Sequence, residues 1–350
     1  ACITRLVSAV TGSENLVTII QKSIYIGRKV MNVCGIDVSK DTLEVVVSKN
    51  KQYLKSKTFT NTAKGHDALV EYLNKSSVNR ICLEATGNYH LDVALAIIEA
   101  NMPIMVINPR AAHNFAKAMM QQTKTDAVDA YILAQFAYRM EFINWNAPDS
   151  SIFSLRACGR RLVSLGKDLT RAKNQLHALS LVKLTPKIVI EDVKLTISQL
   201  DNQIDKIIKY ALEIIKASSL LSLQHKLLIT MTGVADKTAI KLLGEIGVLS
   251  SDMSAKQWVA HAGLHPNIFQ SGSSVNKKTK IGKSGNRYVR EALYMSALNA
   301  SYRNPNVNAY YLHLIHDNGL TKLQALCAVM RKMLLAIHGM LKEEKPFNEN

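Results

Sequence analysis

The chain has 350 residues, 47% of them hydrophobic and 20% charged, with 44 Lys+Arg against 27 Asp+Glu and a formal charge of +17. That length provides for two or three domains, each with its own core, and the basic excess points to a polyanionic partner, nucleic acid or an anionic membrane surface. No apolar run approaches the ~18 residues of a bilayer span, and Cys2, Cys34, Cys82, Cys158 and Cys327 form no C-x-x-C pair, so they read as buried thiols in a reducing cytoplasm and neither zinc ligands nor disulfides are expected.

Residues 1–30 show no sustained periodicity and lack the apolar stretch and cleavage site of a signal peptide. They are expected to be an upstream leader outside the fold, with translation starting at Met31. From Asn32 the alternation is that of a sheet. Val33–Val38, Leu43–Val47 and Tyr53–Thr60 read as three neighbouring strands of a meander, with Arg80–Glu84 and Ile104–Ile107 as a fourth and fifth. Helices are predicted from Asn61 to about Leu73, over Tyr89–Ala100, from the Pro109-Arg110 step, and over Lys124–Met140. The sum is a mixed α/β domain over 31–150.

Its acids stand out. Asp126 and Asp129, three apart on a helix, share one face. At ~4 Å and an effective dielectric near 20 two carboxylates repel by roughly 4 kcal/mol. They must therefore splay into water, meet a cation such as Lys124, or hold a metal. Asp37 interrupts an apolar strand, where an unpaired charge is costly, and Glu84 ends another directly before Ala-Thr-Gly. If the first and fourth strands are adjacent, these two converge on the helical pair. Four hard oxygen donors suit Mg²⁺ or Mn²⁺. The alternative for Asp37 alone is an acid capping the Ser39-Lys40 turn.

Over 151–226 leucines recur at helical spacing (Leu155, Leu162, Leu165, Leu169, Leu176, Leu179), interleaved with Arg156, Arg160, Arg161, Lys167, Arg171 and Lys173. A second apolar run, Val193–Ile215, follows Pro186. This predicts a helical hairpin or coiled-coil arm that dimerises and lays a basic face on nucleic acid, against the plainer reading of a solvated spacer. Leu228–Gly247 reads as two helices joined at Gly233-Val-Ala-Asp, similar to a helix-hairpin-helix whose turn and second helix would hold a DNA phosphate, supported by Lys237 and Thr238. A small-residue loop, Asn267–Ser274, leads to the acid-free stretch Lys277–Arg290. Gly282-Lys283-Ser284 is not a P-loop, because Lys277 stands where the first glycine belongs. A flexible basic strip gripping phosphates through Lys277, Lys278, Lys280, Lys283, Arg287 and Arg290 is the better reading. Ser284 or Asn286 then starts a helix over Tyr288–Ala300, Thr321–Leu341 closes a mainly α C-terminal domain over 227–341, and 342–350 is a polar tail.

Gly35-Ile-Asp-Val-Ser-Lys40, Leu83-Glu-Ala-Thr-Gly-Asn-Tyr89 and Lys124-Thr-Asp-Ala-Val-Asp-Ala130 resemble the N-terminal domain of IS110-family transposases. The Gly233 hairpin, Gly263-Leu-His-Pro266, Gln270-Ser-Gly272 and Gly282-Lys-Ser-Gly-Asn-Arg287 resemble that family's C-terminal domain, in the same order, and the likeness runs from about Met31 to Leu341. The resemblance implies a RuvC-like, RNase H-type first domain with the acidic tetrad Asp37, Glu84, Asp126 and Asp129 binding Mg²⁺. It implies a second domain whose nucleophile is Ser271. It also implies an RNA-guided recombinase, in which a noncoding RNA pairs with donor and target DNA, working as a dimer or tetramer in the bacterial cytoplasm at the nucleoid, with acids and serine drawn from different subunits. A serine hydroxyl needs a base or metal beside it to attack, and Gly272 permits the close backbone approach such a site requires. The rival readings are a Holliday-junction-type endonuclease using the acids and water alone, a non-catalytic nucleic-acid-binding relic of a transposon, and an actin-like ATPase, which would want a glycine-rich adenine-side motif that the chain lacks.

Overall fold

A computed structural model of the chain describes residues 31–49, 52–271, 275–282 and 285–347, and the chain divides into two compact units between Ala147 and Pro148. Residues 1–30, Gly272, Lys283 and Ser284 lie outside the described residues.

The first unit is a sheet with helices on both faces. β1 (Val33–Val38) is central, antiparallel to β2 (Thr42–Lys49) and parallel to β5 (Arg80–Glu84), which is in turn parallel to β6 (Ile104–Ile107). Tyr53–Thr60, expected as one strand, is two: β3 (Gln52–Tyr53) and β4 (Lys57–Thr60). Both pair with β2, in registers that differ by one residue, so an extra residue breaks the ladder between them. An antiparallel meander running into parallel strands, in the order β3-β2-β1-β5-β6, is the RNase H-like arrangement.

Strand alternation decides which helices see which residues. Cys34, Ile36 and Val38 join one core with Ile81, Leu83 and the helices α1 (Ala63–Lys75) and α2 (Leu91–Glu99). Val33 and Cys82 point the other way, into a core with α3 (Pro109–Ala118) and α4 (Asp126–Arg139). Three helix starts are capped by side chains just before them: Thr62 on Gly65, Asn108 on Arg110 with Pro109 at the first turn, and Thr125 on Val128. The free edge of β6 is covered by the segment after α4. Trp145 N–H donates to the Ile104 carbonyl at 2.7 Å, and Ile104 N–H donates to Asn144 Oδ1 at 3.1 Å.

The second unit is mainly helical. α5 (Ser150–Ser180) and α6 (Lys187–Ala217) are 31 residues each, about 46 Å long at the α-helical rise, and they pack on each other as the hairpin expected. The buried residues of α5 lie mostly in its first half, where the helix also packs on α8, whereas Leu181 is 71% and Leu184 92% exposed at the tip. Ser218 ends the arm and caps α7 (Ser219–Leu228), which joins the unit's core and is followed by α8 (Asp236–Ile246) and α9 (Ala255–Ala262). The segment expected as a small-residue loop and flexible strip is instead a hairpin, β7 (Pro266–Ser271) and β8 (Val275–Ile281), because its residues alternate into antiparallel pairing. Asn286, not Ser284, caps α10 (Arg287–Arg303), and α11 (Pro305–His316) and α12 (Lys322–Glu343) complete the unit. α12 is long and apolar enough by composition to cross a membrane, contrary to the expectation that no segment comes near. Ala325, Leu326, Val329, Met330, Met333, Leu334, Ile337 and Met340 of it are buried in the core, which accounts for its composition. Nor is the tail merely polar. Phe347 packs on that core, and its N–H donates to Thr230 Oγ1 at 3.0 Å. Cys34, Cys82, Cys158 and Cys327 are free thiols.

Candidate active site

Asp37 follows Val33 and Gly35 on the face of β1 that α4 covers. The last rung between β1 and β5 is Ile36 opposite Leu83, so Asp37 and Glu84 come one residue later, at the same end of two adjacent parallel strands. Gly35 determines how closely α4 approaches. A Cβ there would collide with the Ala130 carbonyl and the Ala134 amide, so only glycine lets the helix backbone lie directly on the strand. Ala130 adjoins Asp129, and the close crossing brings the first turn of α4, with Asp126 and Asp129, over the end of β1. Glycine inside a strand pattern was the readable sign of this approach.

The electrostatics follow from the crowding. Burial, then the charges of Asp129, Asp126 and Glu84, push the Asp37 carboxyl up to about 6, against a smaller lowering from the Val38 amide. Glu84 is also raised, first by burial and then by the charge of Asp129, although a Thr86 hydroxyl donating at 3.4 Å and the nearby Lys124 and His113 side chains work the other way. Asp129 is raised by burial and by Asp126, with Lys124 opposing. The four acids thus face one another. Among the described residues, however, no three His, Cys, Asp or Glu side chains stand close enough to hold one ion as they are placed. The donor set itself, all carboxylate oxygen, is what a hard divalent cation takes.

A brace missed by sequence reasoning ties the two acid-bearing strand ends together. Asn61 Nδ2 donates to the carbonyls of Ser39, after β1, and Tyr89, after β5, at 2.9 and 3.1 Å, and its Oδ1 meets His66 Nε2 at 2.7 Å. Glu84 and Asp129 also line a cleft of about 420 Å³ between α3 and α4.

The remaining sequence-predicted residues lie in the second unit. Ser271 ends β7 opposite Val275, Lys277 stands opposite Phe269 and Lys280 opposite Asn267 in β8, which also carries Lys278. The roots of this hairpin are pinned. Gly282 N–H donates to the His265 carbonyl at 3.2 Å, Asn286 N–H to the His261 carbonyl at 2.7 Å, and Arg290 Nη1 to the Ala262 carbonyl at 2.8 Å. One Arg290 nitrogen is thus committed to the fold, whereas Arg287 is exposed and lies over the Tyr288 ring at 4.9 Å. Gly233 has φ +89°, and a Cβ there would stand 2.5 Å from the Ser296 carbonyl, so it serves packing on α10 as well as the turn. Lys237 and Thr238 are half-buried in the first turn of α8, beside Asp236, which pairs with His225 at 2.9 Å. That carboxylate shares the positive helix end on which a phosphate was expected to sit.

Arg156 and Arg160, expected on a nucleic-acid face of the arm, turn inward to Glu245, which is 2% exposed. Arg160 Nε donates to Glu245 Oε1 at 2.6 Å, Arg156 Nε and Asn286 Nδ2 donate to Oε2 at 3.3 and 2.7 Å, and the Arg160 guanidinium lies 4.6 Å from the Tyr288 ring centre. Nothing in the spacing of these residues announces the knot, since its partners are 41 to 89 positions apart.

With this geometry in place, comparison with known proteins is informative. Residues 34–185 match a family model described as a transposase, of the IS110 DEDD type, and residues 225–312 match the IS116/IS110/IS902 transposase family. Pilin gene-inverting proteins of Moraxella bovis and Moraxella lacunata are each 30% identical over 320 residues, covering 90% of this chain and 97% of theirs. A 43.6 kDa protein of insertion element IS110 from Streptomyces coelicolor is 30% identical over 116 residues, 33% of this chain and 28% of that one. Among solved structures, Thermus thermophilus RuvC in complex with a Holliday junction substrate is similar at 16% identity and a TM-score of 0.26, over 33% of this chain and 98% of RuvC. With the Moraxella relatives 30% identical over 90% of the chain and the family's models on both halves, the chain belongs to the IS110 family of transposases, enzymes that cleave and recombine DNA.

Proposed function

We propose that this transposase cuts and rejoins DNA strands with the four acids of its first unit and the Ser271 hydroxyl of its second, under the direction of a noncoding RNA from its element. The observation that carries the reading is the placement of Asp37 and Glu84 at the same end of two adjacent parallel strands, with Asp126 and Asp129 in the first turn of the helix that crosses β1 at Gly35; burial among these acids pushes the Asp37 carboxyl up to about 6. Asp37, Glu84, Asp126 and Asp129 would hold Mg²⁺ or Mn²⁺. Bound there, a divalent cation supplies neutralisation of the scissile phosphate and help in activating the attacking oxygen. Ser271 Oγ then forms a bond to phosphorus while the bond from phosphorus to the leaving strand's oxygen breaks, and that oxygen takes up a proton. The phosphoserine keeps the phosphodiester energy, so the hydroxyl of another strand reverses the step without ATP. Lys277, Lys278, Lys280, Lys283 and Arg287 suit the DNA backbone, and Gly272, directly after Ser271, leaves room for it.

The arm's apolar tip, around Leu181 and Leu184, supports assembly into a homo-oligomer, because such side chains stay exposed in a single copy. The +17 charge supports both DNA and RNA as partners. The decisive experiment is Ser271→Ala. Loss of covalent protein–DNA adducts with retained DNA binding is the expected result, and undiminished adduct formation would refute the serine. Cutting by Ser271→Ala that Asp37→Ala abolishes would instead favour an endonuclease working through the acids and water.

A further inference from the structure

The cleft between α3 and α4 has two unlike walls. On one, Glu84 and Asp129 face the space; Lys124 lies near enough for its charge to act on both, but neither acid forms an ion pair among the described residues. On the other stand His113 and Lys117 of α3, with Lys124 from the segment before α4. His113 and Lys117 are four apart, hence on one helical face a turn apart, and α3 contains no acid to neutralise them. All three side chains are exposed, and neither lysine forms an ion pair among the described residues. The rest of the lining is part apolar, with Ala112, Ala116, Ile132 and Leu133, and part polar, with residues 121–123.

A protein interior tends to pair such charges. Here the lysines are open to solvent, so the cleft can admit a ligand that answers both the acids and the lysines. A phosphodiester does: its anionic oxygens suit the cations, and a divalent cation held by the acids reaches the phosphate from the other side. The volume, about 420 Å³, lies in the small-ligand range of ~300–1,000 Å³ and is too small for a duplex. We propose that this cleft is a nucleotide subsite. It holds one unpaired nucleotide flanking the scissile phosphate, with Lys117 and His113 on the next phosphate along and the sugar and base against the apolar floor. The inference rests on the reading of the acids as the cutting centre and adds the path of the strand that leaves it, which requires the duplex to be opened at the cut.

The test is the salt dependence of DNA binding by the full chain, measured by fluorescence anisotropy on a forked oligonucleotide in buffer with EDTA, so that no cutting contributes. Removing one lysine–phosphate pairing on a single strand lowers the slope of log K against log[salt] by about 0.7. Lys117→Gln is expected to lower it by that amount on the forked oligonucleotide and to leave it unchanged on a fully paired duplex, with His113→Ala weakening binding to the fork alone. Lys64→Gln, on α1 across the sheet, serves as the control for general charge. A fork slope unchanged in Lys117→Gln, or lowered equally by Lys64→Gln, overturns the subsite. A separate assay of Mn²⁺-dependent cutting by the unaltered protein keeps the two failures apart: cutting with an unchanged slope sinks the subsite alone, and absence of cutting with no binding sinks the catalytic reading with it.

Discussion

Each unit of this protein contains a carboxylate drawn out of water, and the two have opposite fates. Glu245 is the more deeply buried, and burial pushes its carboxyl up, yet hydrogen bonds from Arg160 and Asn286 and the charge of Arg156 hold it below the ordinary glutamate range. Asp37 is less buried and is raised, because its neighbours are Asp129, Asp126 and Glu84. A buried acid with its cations built in is a structural tie. One surrounded by acids is the kind of group that a bound cation would stabilise, as the proposed function has it.

The contrast is broken most severely in activity. Asp37→Asn removes one of the oxygens that would hold the divalent cation, whose charge stabilisation amounts to several kcal/mol, so strand cutting should fall by roughly 10³-fold or more. A gel-based cleavage assay reads this, and a near-normal rate would remove Asp37 from the site. In stability the sign reverses. For Asp37 the folded carboxyl is raised from 3.8 to about 6, so the native state favours the proton and loses stability as pH rises between those values. Asp37→Asn should therefore stabilise the metal-free protein by ~2–3 kcal/mol above about pH 6 and by nothing below about pH 4, read from urea midpoints. Glu245 has the opposite signature, since a lowered carboxyl contributes stability that disappears as pH falls through and below the ordinary range. Glu245→Ala leaves two arginines, each partly exposed, without their partner, and about 2–4 kcal/mol of loss is expected, less than for a fully buried pair. The same urea series checks it, and a change within ±0.5 kcal/mol would show the knot to be incidental.

Smaller effects sharpen the geometry. Gly35→Ala forces α4 off β1 and should cost about 1–3 kcal/mol. It should also weaken divalent-cation binding, since Asp126 and Asp129 move with the helix. Affinity unchanged in that variant would mean the helical acids do not depend on the close crossing. Lys124→Gln removes an exposed cation that opposes the raising of Glu84 and Asp129, and its effect on stability should stay below ~1 kcal/mol.

What the sequence made legible was whatever local pattern controls. β1, β5 and β6, the cap of each helix in the first unit that starts on a Thr or Asn, and the arm hairpin follow from alternation, capping residues and the break at Pro186. The candidate acids were found because each breaks a local rule: a charge inside an apolar strand, and two like charges on one helical face. What stayed hidden depends on contacts between distant residues. The one-residue slip between β3 and β4 is set by pairing with β2. The inward turn of Arg156 and Arg160 is set by Glu245, and the hairpin at Ser271 by pairing with a segment that composition alone marks as a basic strip. Asn61 and Lys117 belong to the same class, ordinary polar residues whose roles come from what folding places beside them.

The central claim, that four acids from β1, β5 and α4 form one divalent-cation centre, is tested most directly by Mn²⁺ binding. Electron paramagnetic resonance titration of the full chain at neutral pH should show saturable binding that Asp37→Asn, Glu84→Gln and Asp129→Asn each weaken by at least about 10-fold. Binding that survives all three substitutions unchanged, or its absence in the unaltered chain, would contradict the account.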